Sequence, residues 1–182
     1  MKKILFISGS LRKNSLNSAL ARKAMAKLDG QAECLWLDYA DLPMLDQDIE
    51  FPAPEAVTRV RDAVACADAL WIASPEYNHS YSAALKNLID WLSRPLVPGD
   101  YSTAVGRGHL VALSSAAGSS GGSYGLGKLA DLLHMLSCRI VPTRTMVALG
   151  ERFGAGQLVL TEEEEASLDD ECQKLIIALQ QN

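Results

Sequence analysis

Apolar and polar positions along the chain alternate between short apolar runs and longer stretches of helical spacing. Residues 4–8 form a β-branched apolar run closed by Gly9, the pattern of a strand buried on both faces of a parallel sheet. Leu16, Leu20, Ala24 and Leu28 then recur four apart with Lys and Arg between them, and Gly30 stops the pattern, which predicts an amphipathic helix. Residues 32–37 predict a second strand. Residues 38–54 contain three prolines and many acids and read as a long surface connection. Loops of that length in compact folds are commonly functional, so residues 39–51 are expected to line a site or to meet another subunit.

Val57, Val60 and Val64 mark a second helix face, and residues 69–74 a third strand. Helical spacing returns at Leu85, Leu88, Ile89 and Leu92 and ends near Pro95. Residues 110–114 predict a fourth strand, followed by a Gly/Ser loop over residues 118–122. Leu126, Leu129, Leu133 and Leu136 predict the next helix, and residues 146–149 a fifth strand. Thr161 and Glu164 have the spacing of a capping box, opening a last helix that turns Leu168, Cys172, Leu175 and Leu179 inward. Strands alternating with helices predict a doubly wound α/β sheet, because parallel strands need crossover helices and those cover both faces. Ligands of such sheets sit beyond the carboxyl ends of the strands, where the loops beginning at Gly9, Pro75 and Ser115 are expected.

Composition narrows the class. At 182 residues, with 21% charged and 48% hydrophobic, the chain reads as a single globular domain over residues 1–182. A net charge of −5 without a basic cluster argues against nucleic acid and an anionic membrane surface as partners. Cys34, Cys66, Cys138 and Cys172 form no Cys-x-x-Cys pair and are expected to be buried free thiols. The run before Gly9 is too short for a signal-peptide core, and no stretch approaches the ~18 apolar residues of a membrane span, so a cytoplasmic location is expected. His109 and His134 lack metal-ligand spacing and no serine sits in a G-x-S-x-G elbow, which predicts neither a metal centre nor a hydrolase.

The first loop joins a strand to a helix whose opening amides have no partner within the helix, which is an arrangement that binds phosphate. Ser10, Ser15 and Asn17 add neutral donors, and Arg12 a fork suited to phosphate oxygens. The alternative is that Ser15 or Asn17 only caps the helix. The loop has neither a Walker pattern nor G-x-G-x-x-G, so a monophosphate suits it better than a pyrophosphate. After the third strand, Tyr77 offers an aromatic edge and Asn78 an amide toward a flat ring. The alternative there is a Pro-containing turn whose Ser80 or Ser82 caps the next helix. His79 reads as an exposed loop histidine or a donor to a substrate, and Trp71 and Trp91 as core or interface anchors.

Taken together, Gly9-Ser10-Leu11-Arg12-Lys13 with Ser15 and Asn17, then Asp46-Gln47-Asp48, then Pro75-Glu76-Tyr77-Asn78 continuing to Leu85-Lys86-Asn87 and Asp90-Trp91, resemble the NADPH-dependent FMN reductase family of flavodoxin-like proteins. The likeness runs from the first strand to the Gly/Ser loop near Gly122. It implies a flavodoxin-like, doubly wound, five-stranded parallel sheet of order 2-1-3-4-5 with helices on both faces. It further implies that Ser10, Arg12, Ser15, Leu16 and Asn17 surround the phosphate of FMN. Pro75, Glu76, Tyr77 and Asn78 would border the isoalloxazine ring, and Ser115 with Gly118 would close its other side. Where the family often shows Pro-Gly after the Tyr-Asn turn this chain has Ser82-Ala83, and its tail after Gly150 carries no family signature.

The activity so implied is NAD(P)H-dependent oxidoreduction, with hydride passing from NADPH or NADH to flavin N5 and then, in ping-pong order, to a small-molecule quinone, azo or metal-oxyanion acceptor. Cofactor chemistry of this kind needs no catalytic side chain, and none is assigned. The family is usually dimeric or tetrameric, and the helix over residues 83–93, with Trp91 off its main apolar face, suits a homodimer or homotetramer. The alternatives are a flavodoxin-like electron carrier and a flavin-based redox sensor.

Overall fold

The apolar runs become parallel strands in the computed structural model, which describes residues 1–154 and 156–181. The strands are β1 (Lys3–Ser8), β2 (Glu33–Trp36), β3 (Ala69–Ala73), β4 (Leu110–Ala117), β5 (Arg139–Ile140) and β6 (Met146–Ala148). They lie in the order β2-β1-β3-β4-β5, with β6 also on β4, and every pairing is parallel. The helices are α1 (Leu16–Lys27), α2 (Glu55–Ala65), α3 (Ala83–Ser93), α4 (Ser123–Met135) and α5 (Glu162–Gln180). No helix among the described residues is long and apolar enough to cross a membrane.

Side chains alternate across the central strands, so each face of the sheet has its own core. Ile4, Phe6, Trp71 and Ala112 pack with Leu20 of α1 and with Leu168 and Leu175 of α5. Leu5, Ile7, Leu70, Ile72, Val111 and Leu113 pack with α2, α3 and α4 through Val60, Leu88 and Leu129. Burial on both faces explains the unbroken apolar runs of β1 and β3, since neither face is left to water.

Three expectations change. β4 does not end at Ser114 but runs buried to Ala117, so Ser115 belongs to the strand and not to the loop after it. Its serines hide this strand from a hydropathy pattern, yet both are buried: the Ser114 hydroxyl accepts a hydrogen bond of 2.9 Å from Trp71 Nε1, whereas the Ser115 hydroxyl has no hydrogen bond among the described residues. The fifth strand is also split. Arg139–Ile140 pairs with the start of β4 and Met146–Ala148 with its end, and between them stands Pro142, which has no N–H for a ladder. Finally, the cysteines are free, but Cys66 is exposed and Cys34 only half-buried.

Candidate functional site

The first loop meets the other two because β1, β3 and β4 are neighbours. Close approach demands glycine at position 9: a Cβ there would stand 2.8 Å from Pro75 Cδ, so a side chain would force the first and second loops apart. The Gly9 carbonyl accepts from the Ser82 hydroxyl (2.5 Å), and the Ser82 hydroxyl oxygen in turn accepts from Leu85 N–H (3.2 Å) as the N-cap of α3. Ser82, the departure from the Pro-Gly pattern, therefore caps its helix and ties it to the first loop.

An open cleft of about 190 Å³ lies between these loops. Of the residues expected at the site, Ser10, Arg12, Ser15, Leu16, Asn17, Pro75, Glu76, Tyr77 and Gly118 line it. Asn78 and Ser115 do not. Asn78 is at the exposed tip of its turn, and Ser115 is fully buried beneath α4, where a Cβ on Gly122 would stand 1.9 Å from its hydroxyl. Ala116, Ala117 and Leu149 also line the cleft. Sequence reasoning missed the two alanines because it ended β4 three residues early, and Leu149 because a strand end carries no polar signature.

At the α1 end, Ser15 is the N-cap, its hydroxyl accepting from Ser18 N–H (3.2 Å), so capping and lining the cleft belong to the same residue. The first turn of α1 contains no acid, whereas that of α5 contains Glu162, Glu163, Glu164 and Glu165. The positive end of the α1 dipole is thus left uncompensated by side chains and faces the cleft. Arg12 is exposed and makes no hydrogen bond or ion pair with another described residue. Asn17 behaves differently from the expected anion donor. It is buried, and its amide bonds both backbone groups of Ala116, donating to the carbonyl and accepting from the N–H at 2.9 Å each.

At the other end, Glu76 works as a cap in trans. α4 starts at Gly122, which has no side chain for capping, and the Glu76 carboxylate accepts from Gly125 N–H (2.8 Å) and from the Ser120 hydroxyl (2.7 Å). Partial burial alone would raise the Glu76 pKa. The bonds from Ser120 and Gly125 and the nearby His79 outweigh it and hold the carboxyl below its usual range. Among the described residues no group of His, Cys, Asp and Glu is placed to hold a metal.

This arrangement brings the α1 N-terminus, Arg12 and Ser10 to the same cleft as the small residues Ala116, Ala117 and Gly118 and as Pro75 and Tyr77. A planar ring carrying a phosphate arm matches that combination.

The sequence profile of the family described as NADPH-dependent FMN reductase matches residues 2–152. An NAD(P)H-dependent FMN reductase of Pseudomonas aeruginosa is 43% identical over 94 residues, 51% of this chain and 51% of that protein. A 2-hydroxy-1,4-benzoquinone reductase of Burkholderia sp. is 38% identical over 93 residues, again 51% of each. The matched stretch thus spans about half the length of these curated relatives. In three dimensions the flavoenzyme NAD(P)H:(acceptor) oxidoreductase of Paracoccus denitrificans superimposes with a TM-score of 0.83 and 28% identity, covering 100% of this chain and 98% of that one.

Proposed function

We propose, for a chain that belongs to the NADPH-dependent FMN reductase family, that it is an FMN-dependent NAD(P)H oxidoreductase acting on small quinone-type acceptors. The observation that carries this reading is the convergence on one cleft of an α1 N-terminus without first-turn acids, an Arg12 without a partner among the described residues, and the small residues Ala116, Ala117 and Gly118. Those residues fit FMN. Arg12, Ser10, Ser15 and the opening amides of α1 would hold the phosphate. Ala116, Ala117 and Gly118 leave room for a ring against Pro75, Glu76 and Tyr77.

Bound there, FMN supplies hydride acceptance at N5 and hydride donation to the acceptor. The overall reaction, NAD(P)H, one proton and a quinone giving NAD(P)+ and a hydroquinone, asks the chain for binding and orientation rather than for an acid or base. Asn17 fixes α1 against β4, and Glu76 fixes the second loop against α4, so the two ends of the cleft keep their spacing. Donor and acceptor would use this open cleft in turn, in ping-pong order. Azo compounds and metal oxyanions are further acceptors that an open mouth of this kind admits. Relatives whose names specify FMN and 2-hydroxy-1,4-benzoquinone support the cofactor and the acceptor class.

The test is anaerobic stopped-flow absorbance of the FMN-loaded protein mixed separately with NADPH and with NADH. Rapid loss of the oxidised flavin band with either donor is expected. A stable spectrum with both would overturn the reductase reading in favour of an electron carrier or a flavin-based sensor.

We further infer a homodimer or homotetramer. The second face of α3 is covered by its own chain, since Trp91 is buried and donates to the Pro43 carbonyl (2.8 Å), so that helix no longer argues for a partner. The support comes instead from exposed apolar residues on two loops joined by the Glu50–Arg94 ion pair, Ile49 and Phe51 on one and Leu96, Val97 and Tyr101 on the other. Sedimentation equilibrium is expected to return a multiple of 19.6 kDa, and a monomer mass at every concentration would refute association.

A further inference from the structure

The tip of the loop after β3 carries a feature outside the lining of the cleft. Tyr77 N–H donates to the Ser80 carbonyl (2.8 Å) and Ser80 N–H to the Tyr77 carbonyl (3.0 Å), closing a two-residue turn. Both central residues are left-handed, Asn78 at φ 52° and His79 at φ 58°. Asparagine tolerates that region and glycine prefers it at the second position, whereas histidine is strained there and persists only where its surroundings hold it.

What holds His79 is Tyr124, the second residue of α4. Their rings stack with centroids 4.4 Å apart and planes inclined by 26°. The stack is not part of either core, for His79 is exposed and Tyr124 is 56% accessible. Tyr77, which lines the cleft, is 55% accessible. Two devices keep the turn on the helix. The Glu76 carboxylate bonds Gly125 N–H, and Gly125 itself lacks a side chain where a Cβ would stand 3.2 Å from the Ser80 carbonyl oxygen. The fold thus accepts a left-handed turn and a tight approach to set an exposed aromatic pair outside the cleft lining but next to Glu76 and Tyr77, which belong to it.

We propose that the His79–Tyr124 stack is the acceptor-selecting rim of this site, favouring flat conjugated acceptors of the quinone class over compact oxyanions. An exposed aromatic pair with fixed planes offers a π-face to a planar ring, and an imidazole N–H can donate to a quinone carbonyl oxygen. A hydrated oxyanion gains nothing from the ring faces. The inference rests on the flavin reductase reading, since the rim matters only if acceptors enter this cleft.

The test compares the parent chain with His79→Gly, Tyr124→Ala and Tyr124→Phe, all loaded with FMN. Glycine at position 79 removes the ring while suiting the left-handed turn, so that variant keeps the loop even if Tyr124→Ala disturbs α4. Two quantities are read: the equilibrium affinity of the oxidised protein for 1,4-naphthoquinone by calorimetry, and the ratio of kcat/KM for 1,4-naphthoquinone over chromate. His79→Gly and Tyr124→Ala are expected to lower both by about three- to tenfold, the range of one aromatic stacking contact, and Tyr124→Phe to retain both. Unchanged naphthoquinone affinity, or equal losses for the two acceptors, overturns the rim while leaving the reductase reading intact. A parent protein whose flavin is not bleached by either nicotinamide overturns that reading and the rim with it.

Discussion

Asn17 shows how a residue can be legible in position and not in role. Its type and place at a strand-to-helix loop suggest an anion donor or a cap, yet the structure turns its amide inward to satisfy both backbone groups of Ala116. Nothing local could reveal this, because Ala116 is 99 positions away. Asn17→Ala would leave a buried N–H and a buried C=O unpaired, each costing about 1–3 kcal/mol. Urea unfolding is therefore expected to show a loss of roughly 2–6 kcal/mol with an unchanged slope. An unchanged midpoint would show that the clamp adds nothing. Glu76 repeats the lesson: read beside a Pro-Tyr-Asn turn it suggests a ring contact, whereas its carboxylate caps a helix that starts more than forty residues later.

At the scale of elements, local chemistry was read well where an element carries its own signal. Thr161 and Glu164 announce α5, and both arms of the capping box form, with Thr161 N–H donating to Glu164 (2.9 Å) and Glu164 N–H to Thr161 (3.2 Å). Arg152 adds two bonds to the same carboxylate, at 2.6 and 2.8 Å, and together these contacts hold the Glu164 carboxyl below its usual pKa range. Thr161→Ala is expected to cost about 1 kcal/mol and to lower Tm by about 2–4 °C, read by calorimetry. A Tm equal to the parent's would mean that Arg152 alone fixes the helix start. The split fifth strand was not legible. A two-residue strand such as Arg139–Ile140 has no periodicity to detect, and it exists only because β4 offers it a free edge.

At the scale of the whole molecule, α5 places a carboxylic acid behind the joint between β4 and β6. Glu171 is fully buried; it accepts from Thr145 N–H (2.8 Å), whose carbonyl in turn accepts from Ser115 N–H, and its other oxygen has no hydrogen bond among the described residues. Burial, outweighing the Thr145 bond and the nearby Leu113 backbone and Arg144, pushes its carboxyl up to about 8 from 4.5. Across that window the folded chain holds a proton that the unfolded chain has released. Stability should therefore be greatest below pH 4.5 as far as this group is concerned, and fall as pH rises toward 8, by up to about 1.4 kcal/mol per pH unit. Glu171→Gln is expected to match the parent near pH 4.5 and to exceed it increasingly in Tm toward pH 8. Parallel Tm profiles would rule out the linkage. The sequence places Glu171 on a helix and nothing more, because burial of an acid depends on which strands lie beneath it. That division holds throughout the protein. Strand and helix order, the two-faced burial of the sheet and the loop end at which the cleft opens followed from the sequence, since periodicity, caps and turn residues act within a few positions along the chain, whereas the cleft lining as a set was named only through the family resemblance. The tertiary structure alone decided which polar side chains are consumed in holding the cleft, as Asn17 and Glu76 are, and which, like Ser115, are buried away from it. A buried hydrogen bond is made with whatever backbone group the packing brings near, and sequence distance leaves no trace of that choice.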